Sequence, residues 1–208
     1  MEPQALSELQ MDALTEIGSI GAGHAATALS QLVDHAITLE VPRLELLSVK
    51  QIPTIFGGPE ALAAGVYSQL LGDLEGSILF VISRESALCL IDMLHNREVG
   101  TTKALSRPDE QMLEHTAAIV GSSYIAAIAR MTDLSVLPSK PLFAFDMVGG
   151  ILEAVAIDVG MLGDEALLLR TEFVSDGSAE EPDVIDAYLL FLPSPDSLGV
   201  LLGRLGMG

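Results

Sequence analysis

Between about residues 5 and 33 the apolar positions Leu14, Ile17, Gly21, Ala25, Ala28 and Leu32 recur every three or four residues, which predicts one long helix with a single buried face. Three glycines, Gly18, Gly21 and Gly23, fall inside it, and each costs about 1 kcal/mol relative to alanine in a helix. We read them as a place where the helix comes very close to a neighbouring element. Residues 37–41 alternate apolar and polar up to Pro42 and read as a strand, followed by a second apolar run over 44–49. Phe56-Gly57-Gly58-Pro59 is a turn or loop, and strands over 62–71 and 76–82 flank the hairpin-like connection Gly72-Asp73-Leu74-Glu75. Ser83 suits the N-cap of a short helix running to about His95.

The same order then repeats. Shifting by 99 positions lays Leu14, Ile20 and Ala28 on Leu113, Ile119 and Ala127, and a shift of 111 lays Phe80 and Ser86 on Phe191 and Ser197. The second copy reads as a helix over 108–130, strands over 134–137 and 142–147, a Gly149-Gly150 break, strands over 152–159, 166–173 and 187–192, and a helix from about Ser194. An acidic insertion over 175–183 would account for the growing offset. Helices mixed with antiparallel hairpins indicate an α+β fold on a mostly antiparallel sheet, with residues 1–208 as one domain of two pseudo-symmetric halves, about 5–97 and 106–208.

Composition narrows the function. The net charge of −19 repels a phosphate backbone, so nucleic-acid binding is excluded as an expectation and proteins or cations are favoured as partners. The single cysteine, Cys89, fits a reducing compartment. The opening residues lack the basic and apolar regions of a secretory signal, and the uncharged stretch over 17–33 is too polar to span a bilayer. The expectation is therefore a cytoplasmic protein without membrane insertion.

Few residues offer chemistry. Gly18-Ser19-Ile20-Gly21-Ala22-Gly23 follows a helical pattern rather than a strand and lacks the Gly-Lys-Ser/Thr ending of a phosphate loop. The four histidines show no metal-ligand spacing and no G-x-S-x-G elbow is present, so neither a cofactor nor a metal is expected. Asp12, Glu16 and Ser19 stand at i, i+4 and i+7 and share one helix face, either as a solvated polar face or as a polar array that docks onto a partner.

The run from Asp12 to Leu29, DALTEIGSIGAGHAATAL, resembles the signature helix of the CheC family of chemotaxis proteins. Val41-Pro42, Gly57-Gly58-Pro59-Glu60, Val66-Tyr67, Gly72-Asp73-Leu74-Glu75-Gly76 and Arg84-Glu85-Ser86-Ala87 extend the likeness over most of the first half. The second half matches mainly through the duplication and Tyr124. The resemblance implies a pseudo-two-fold fold, shared with CheX, the FliY middle domain and FliM, with two long helices side by side over a β-sheet. It also implies action on a phosphorylated CheY-like receiver domain. In the family pattern an acid or serine, then a glutamate, then an asparagine line one helix face: the glutamate pairs with a partner lysine and the asparagine amide orients the attacking water. Carried onto this chain, Asp12 and Glu16 fit, Ser19 replaces the asparagine, and His24 occupies another position where asparagine is frequent. In the second copy the three places hold Gln111, His115 and Ala118, so that site is expected to be inactive. Glu16 and Ser19 are the candidate catalytic pair, and Asp12, Glu16, Gln111 and His115 the candidate partner-binding set. Serine offers one hydroxyl in place of a carboxamide, so turnover at the first site should be slow. The competing reading is a CheC-like protein without useful turnover that binds a receiver, a CheD-like deamidase or another signalling partner.

Overall fold

The computed structural model describes residues 6–33, 36–159, 165–175, 184–194 and 196–206. Helix α1, Glu8–Val33, starts at a capping box: Gln10 N–H donates to Ser7 Oγ while Ser7 N–H donates to Gln10 Oε1 at 2.8 Å. Strand β1, Ile37–Ser48, follows, then a 3-10 turn at Val49–Gln51 and the four-residue helix α2, Ile52–Ile55. The hairpin of β2, Leu62–Gly72, and β3, Gly76–Ser83, leads into α3, Arg84–Leu94, whose N-cap Ser83 accepts a hydrogen bond from Ser86 N–H at 3.1 Å. The second copy consists of α4, Arg107–Thr132, β4, Val136–Pro138, β5, Leu142–Met147, α5, Val148–Val159, β6, Glu165–Ser175, β7, Val184–Pro193, and α6, Ser197–Arg204.

All strands join one antiparallel sheet in the order β1-β6-β7-β3-β2, with β4 and β5 sharing the last edge against β2. The two halves exchange their first strands. β1 pairs with β6 of the second half, and β5 pairs with β2 of the first. The approximate two-fold axis passes between β3 and β7, where Leu79 faces Leu190 and Phe80 faces Leu189. Pro42 falls at a register shift within β1, and Pro141 lies between β4 and β5.

Two apolar layers cover the sheet. On one face α1, α3, α4 and α6 bury Leu29, Leu90, Ile91, Leu113, Val120 and Phe173 among others; on the opposite face α2 and α5 pack Ile52, Ile151 and Val155 on Leu79, Leu168 and Leu190. The length and composition of α4 alone would suit a bilayer span, but its apolar positions Leu113, Ala117, Val120 and Tyr124 are packed into this core.

The sequence expectation fails over 148–159. The apolar run read as a strand is α5, and Gly149-Gly150 lies in its first turn rather than at a break. A continuous apolar run does not distinguish helix from strand; here Ile151, Leu152 and Val155 fall on one helical face and bury against the sheet. Gly149 is needed there because Pro59 O, which accepts its N–H at 2.9 Å, would stand 3.1 Å from a Cβ. The two runs before residue 50 are also one strand, with a register shift between Glu40 and Arg43 absorbing Pro42. The offset between copies is 103 at Leu62 and Glu165, so part of its growth comes from α5 replacing the shorter α2, before the acidic segment is reached. Residues 176–183, expected as an acidic insertion, lie outside the described residues.

Candidate functional site

The sequence of α1 divides its surface cleanly. Leu14, Ile17, Gly18, Gly21, Ala22, Ala25 and Leu29 are buried, whereas Asp12, Glu16, Ser19, Gly23 and Thr27 are exposed. Gly21 is where α1 meets α4: a Cβ there would lie 2.8 Å from Tyr124 Cδ1 and 3.0 Å from Tyr124 Cα. Gly23 faces open space, so only one of these two glycines answers to close packing. Leu14 and Ile17 share a cavity lining with Ile125 and Ile128, so the two helices run antiparallel across the Gly21–Tyr124 contact. Counting from that crossing at 1.5 Å per residue, Glu16 and His115 lie about 20 Å apart along the helix pair. The two candidate faces are therefore separate, one toward each end.

Tyr124 is 2% exposed, and burial pushes its hydroxyl pKa up to about 12, with the nearby Thr171 hydroxyl partly offsetting the shift. The two hydroxyls are neighbours without a well-formed hydrogen bond. Tyr124 is thus a packing residue of the helix interface rather than part of the exposed face.

At the first site Ser19 Oγ donates to Thr15 O at 3.0 Å. In this rotamer its proton is directed at the helix backbone and its lone pairs face an incoming group. A serine in this state can accept a hydrogen bond from water but cannot also donate one, unlike a carboxamide. Glu8, one turn before Asp12, is also exposed and was not singled out from the sequence, although the signal was there: α1 contains no Lys or Arg. Among the described residues, Glu8, Asp12 and Glu16 make no ion pair. Each of the two i,i+4 carboxylate pairs costs the helix about 0.2–0.5 kcal/mol, which the helix N-terminus offsets in the first turn.

The second site is built differently. α4 begins at Ser106, whose N–H donates to Asp109 Oδ2 at 2.8 Å. Burial alone would raise the Asp109 pKa, but the Ser106 hydroxyl and N–H, with His95 and Arg97 nearby, hold it below the usual carboxylate range. Gln111 and His115 are exposed, and half-buried Ala118 lines a notch with Gly121, Ser122, Pro138 and Ser139. The helix positions equivalent to Glu8, Asp12 and Glu16 carry Arg107, Gln111 and His115. At these positions α1 presents an acidic row, whereas α4 carries its carboxylates Glu110 and Glu114 one position earlier, half-exposed beside Gln111 and His115.

Two long helices over a strand-exchanged antiparallel sheet make this a pseudo-symmetric, internally duplicated α+β domain. Residues 9–46, covering most of α1 and β1, match the model of the CheC-like family. The chain is 31% identical over 203 residues to the CheY-P phosphatase CheC of Bacillus subtilis, covering 97% of this chain and 96% of that protein. Among solved structures, Thermotoga maritima FliY superposes with a TM-score of 0.78 at 16% identity, covering 98% of each chain. The Helicobacter pylori FliM middle domain superposes with a TM-score of 0.66 at 11% identity, covering 96% of this chain and 99% of that one. The chain belongs to the CheC family.

Proposed function

We propose that the protein docks a phosphorylated CheY-like receiver domain on α1 and hydrolyses its aspartyl phosphate slowly. The observation that carries this reading is the exposure of Asp12, Glu16 and Ser19 on one uninterrupted helix face, in a chain whose CheC relative is a CheY-P phosphatase. Glu16 supplies the charge that pairs with a lysine of the receiver. Ser19 Oγ accepts a hydrogen bond from a water held in line with the phosphorus. The water oxygen bonds to phosphorus, the bond from phosphorus to the receiver's carboxylate oxygen breaks, and inorganic phosphate and a free aspartate result. Catalysis here is positioning plus electrostatics, with no covalent intermediate on this chain. The hydroxyl reaches about 1 Å less far than a carboxamide, and a misplacement of that size costs on the order of 100-fold in rate.

The short Ser19 side chain, with its hydroxyl turned back to Thr15 O, favours a second reading: the same protein acts as a non-catalytic adaptor, binding the receiver or a CheD-like deamidase. The test follows phosphate release from a phosphorylated receiver with wild type, Glu16→Ala and Ser19→Asn. Slow acceleration by wild type, its loss in Glu16→Ala and a gain in Ser19→Asn support the phosphatase. Receiver binding without acceleration supports the adaptor. In both readings the whole chain acts as one cytoplasmic domain of two halves, about 5–97 and 106–208, and Gln111 and His115 mark a second helix face without hydrolytic capacity.

A further inference from the structure

We propose that the free edge of β5 pairs antiparallel with β5 of a second copy of this chain, giving a weak, symmetric and reversible dimer.

Four observations carry it. Among the described residues β5 is bonded to β2 on one side and to no strand on the other, so a row of backbone N–H and C=O groups faces outward. The exposed apolar surface collects at this edge: of twelve large apolar side chains exposed among the described residues, Leu62, Leu71, Leu137, Leu142, Phe145 and Met147 stand on β2, β4 and β5. The opposite edge of the sheet is different, because β1 buries Ile37, Leu39 and Leu44 and turns Thr38, Glu40 and Glu45 to solvent. One apolar edge closes association at two copies, whereas two would let it run on as a filament.

The fourth observation, charge, selects the occupant. Lys140 and Asp146 are exposed, take part in no ion pair among the described residues, and bracket the uncharged run Pro141-Leu142-Phe143-Ala144-Phe145. Antiparallel pairing of two such segments about Phe143 sets Lys140 of each copy opposite Asp146 of the other and joins the apolar runs between them. The segment is thus complementary to itself, and a slip in register separates both charge pairs. Two forces keep the contact weak. Each chain carries a net charge of −19, so the copies repel, and the strand is short, with Pro141 offering no N–H. Salt screens the repulsion and should tighten the dimer.

The test is sedimentation equilibrium of the full chain. We expect a monomer–dimer equilibrium with a Kd on the order of 10–100 µM at moderate salt, and no larger species. Lys140→Asp and Asp146→Lys should each weaken it roughly threefold to thirtyfold, and the double variant Lys140→Asp/Asp146→Lys should return to within about threefold of wild type. Phe145→Thr, which keeps a strand-favouring residue and removes an apolar one, should weaken it as well. Asp146 also accepts Met147 N–H at 2.7 Å, so a circular-dichroism melt accompanies each variant; Lys140→Asp and Phe145→Thr carry the test if Asp146→Lys unfolds. A chain that stays monomeric up to about 500 µM, at low and high salt alike, overturns the proposal and leaves this edge to a different protein. Species larger than a dimer overturn the closed pair. A dimer untouched by both Lys140→Asp and Phe145→Thr forms through another surface, and the assignment to β5 falls.

Discussion

The two helix glycines make opposite predictions, although they are two residues apart in one element. At Gly21 an added methyl would sit 2.8 to 3.0 Å from three atoms of Tyr124, one of them the backbone Cα. Carbon atoms in ordinary contact stand about 3.5–4.0 Å apart, so α1 and α4 must separate by roughly 0.5 Å or more; turning the ring does not relieve a clash with Cα. Overpacking of this kind costs about 1–3 kcal/mol, and the better helix propensity of alanine returns about 1 kcal/mol. Gly21→Ala should therefore destabilise by around 1 kcal/mol. At Gly23 nothing lies within 4 Å of the added atom, so Gly23→Ala collects the propensity gain without a clash and should stabilise by about 1 kcal/mol. For a chain of this size each kcal/mol moves the Tm by about 2–4 °C, so the two melts should lie on opposite sides of wild type and differ by roughly 6 °C. Differential scanning calorimetry of the unliganded protein measures this directly. If Gly21→Ala raised the Tm as much as Gly23→Ala, the close crossing of α1 and α4 would be refuted, and with it the placement of the two helix faces.

Two further predictions concern the whole fold. Asp92 is closed off from solvent by residues 100–102 of the connection between the halves: Thr102 donates to it through its N–H at 3.0 Å and its hydroxyl at 2.6 Å. Burial pushes the Asp92 pKa up, but these hydrogen bonds and those from the Thr101 and Gly100 backbone outweigh it and hold it below the usual carboxylate range. A depressed folded-state pKa stabilises above the ordinary carboxylate pKa, and that stability is lost as pH falls through the folded value. Urea unfolding of Asp92→Asn should thus show a loss of about 1–3 kcal/mol at neutral pH and a shallower acid limb than wild type; equal slopes below pH of about 5 would contradict the assignment. Because, among the described residues, β1 pairs only with β6 and β5 only with β2, residues 5–97 or 106–208 alone lack the partner for an outer strand. Each fragment should show no cooperative melt by itself, and a cooperative melt of either would show that a half folds independently.

Much of the site was legible in the sequence because a helix is a local object. Asp12, Glu16 and Ser19 share a face by spacing alone, and the apolar stripe through Leu14, Ile17 and Gly21 fixed which side would be buried. Local hydrogen bonding and local pattern likewise placed Ser83 at a helix start and Gly72 at a hairpin. The helix over 148–159 escaped because a run of apolar residues buried on one side reads alike in both periodicities when it is short. Glu8 was passed over because it precedes the stretch that carries the family likeness.

The amino-acid order by itself determined the duplication, the two long helices and the face of α1 that Asp12, Glu16 and Ser19 share. Tertiary structure decided that the halves exchange strands, that α1 and α4 run antiparallel about a glycine–tyrosine contact, and that the duplicated faces point from opposite ends of the pair. The division has a physical cause. Turn chemistry and side-chain periodicity act over a few residues, whereas strand exchange and helix crossing are settled by burial between segments about a hundred residues apart, whose partners no local pattern names.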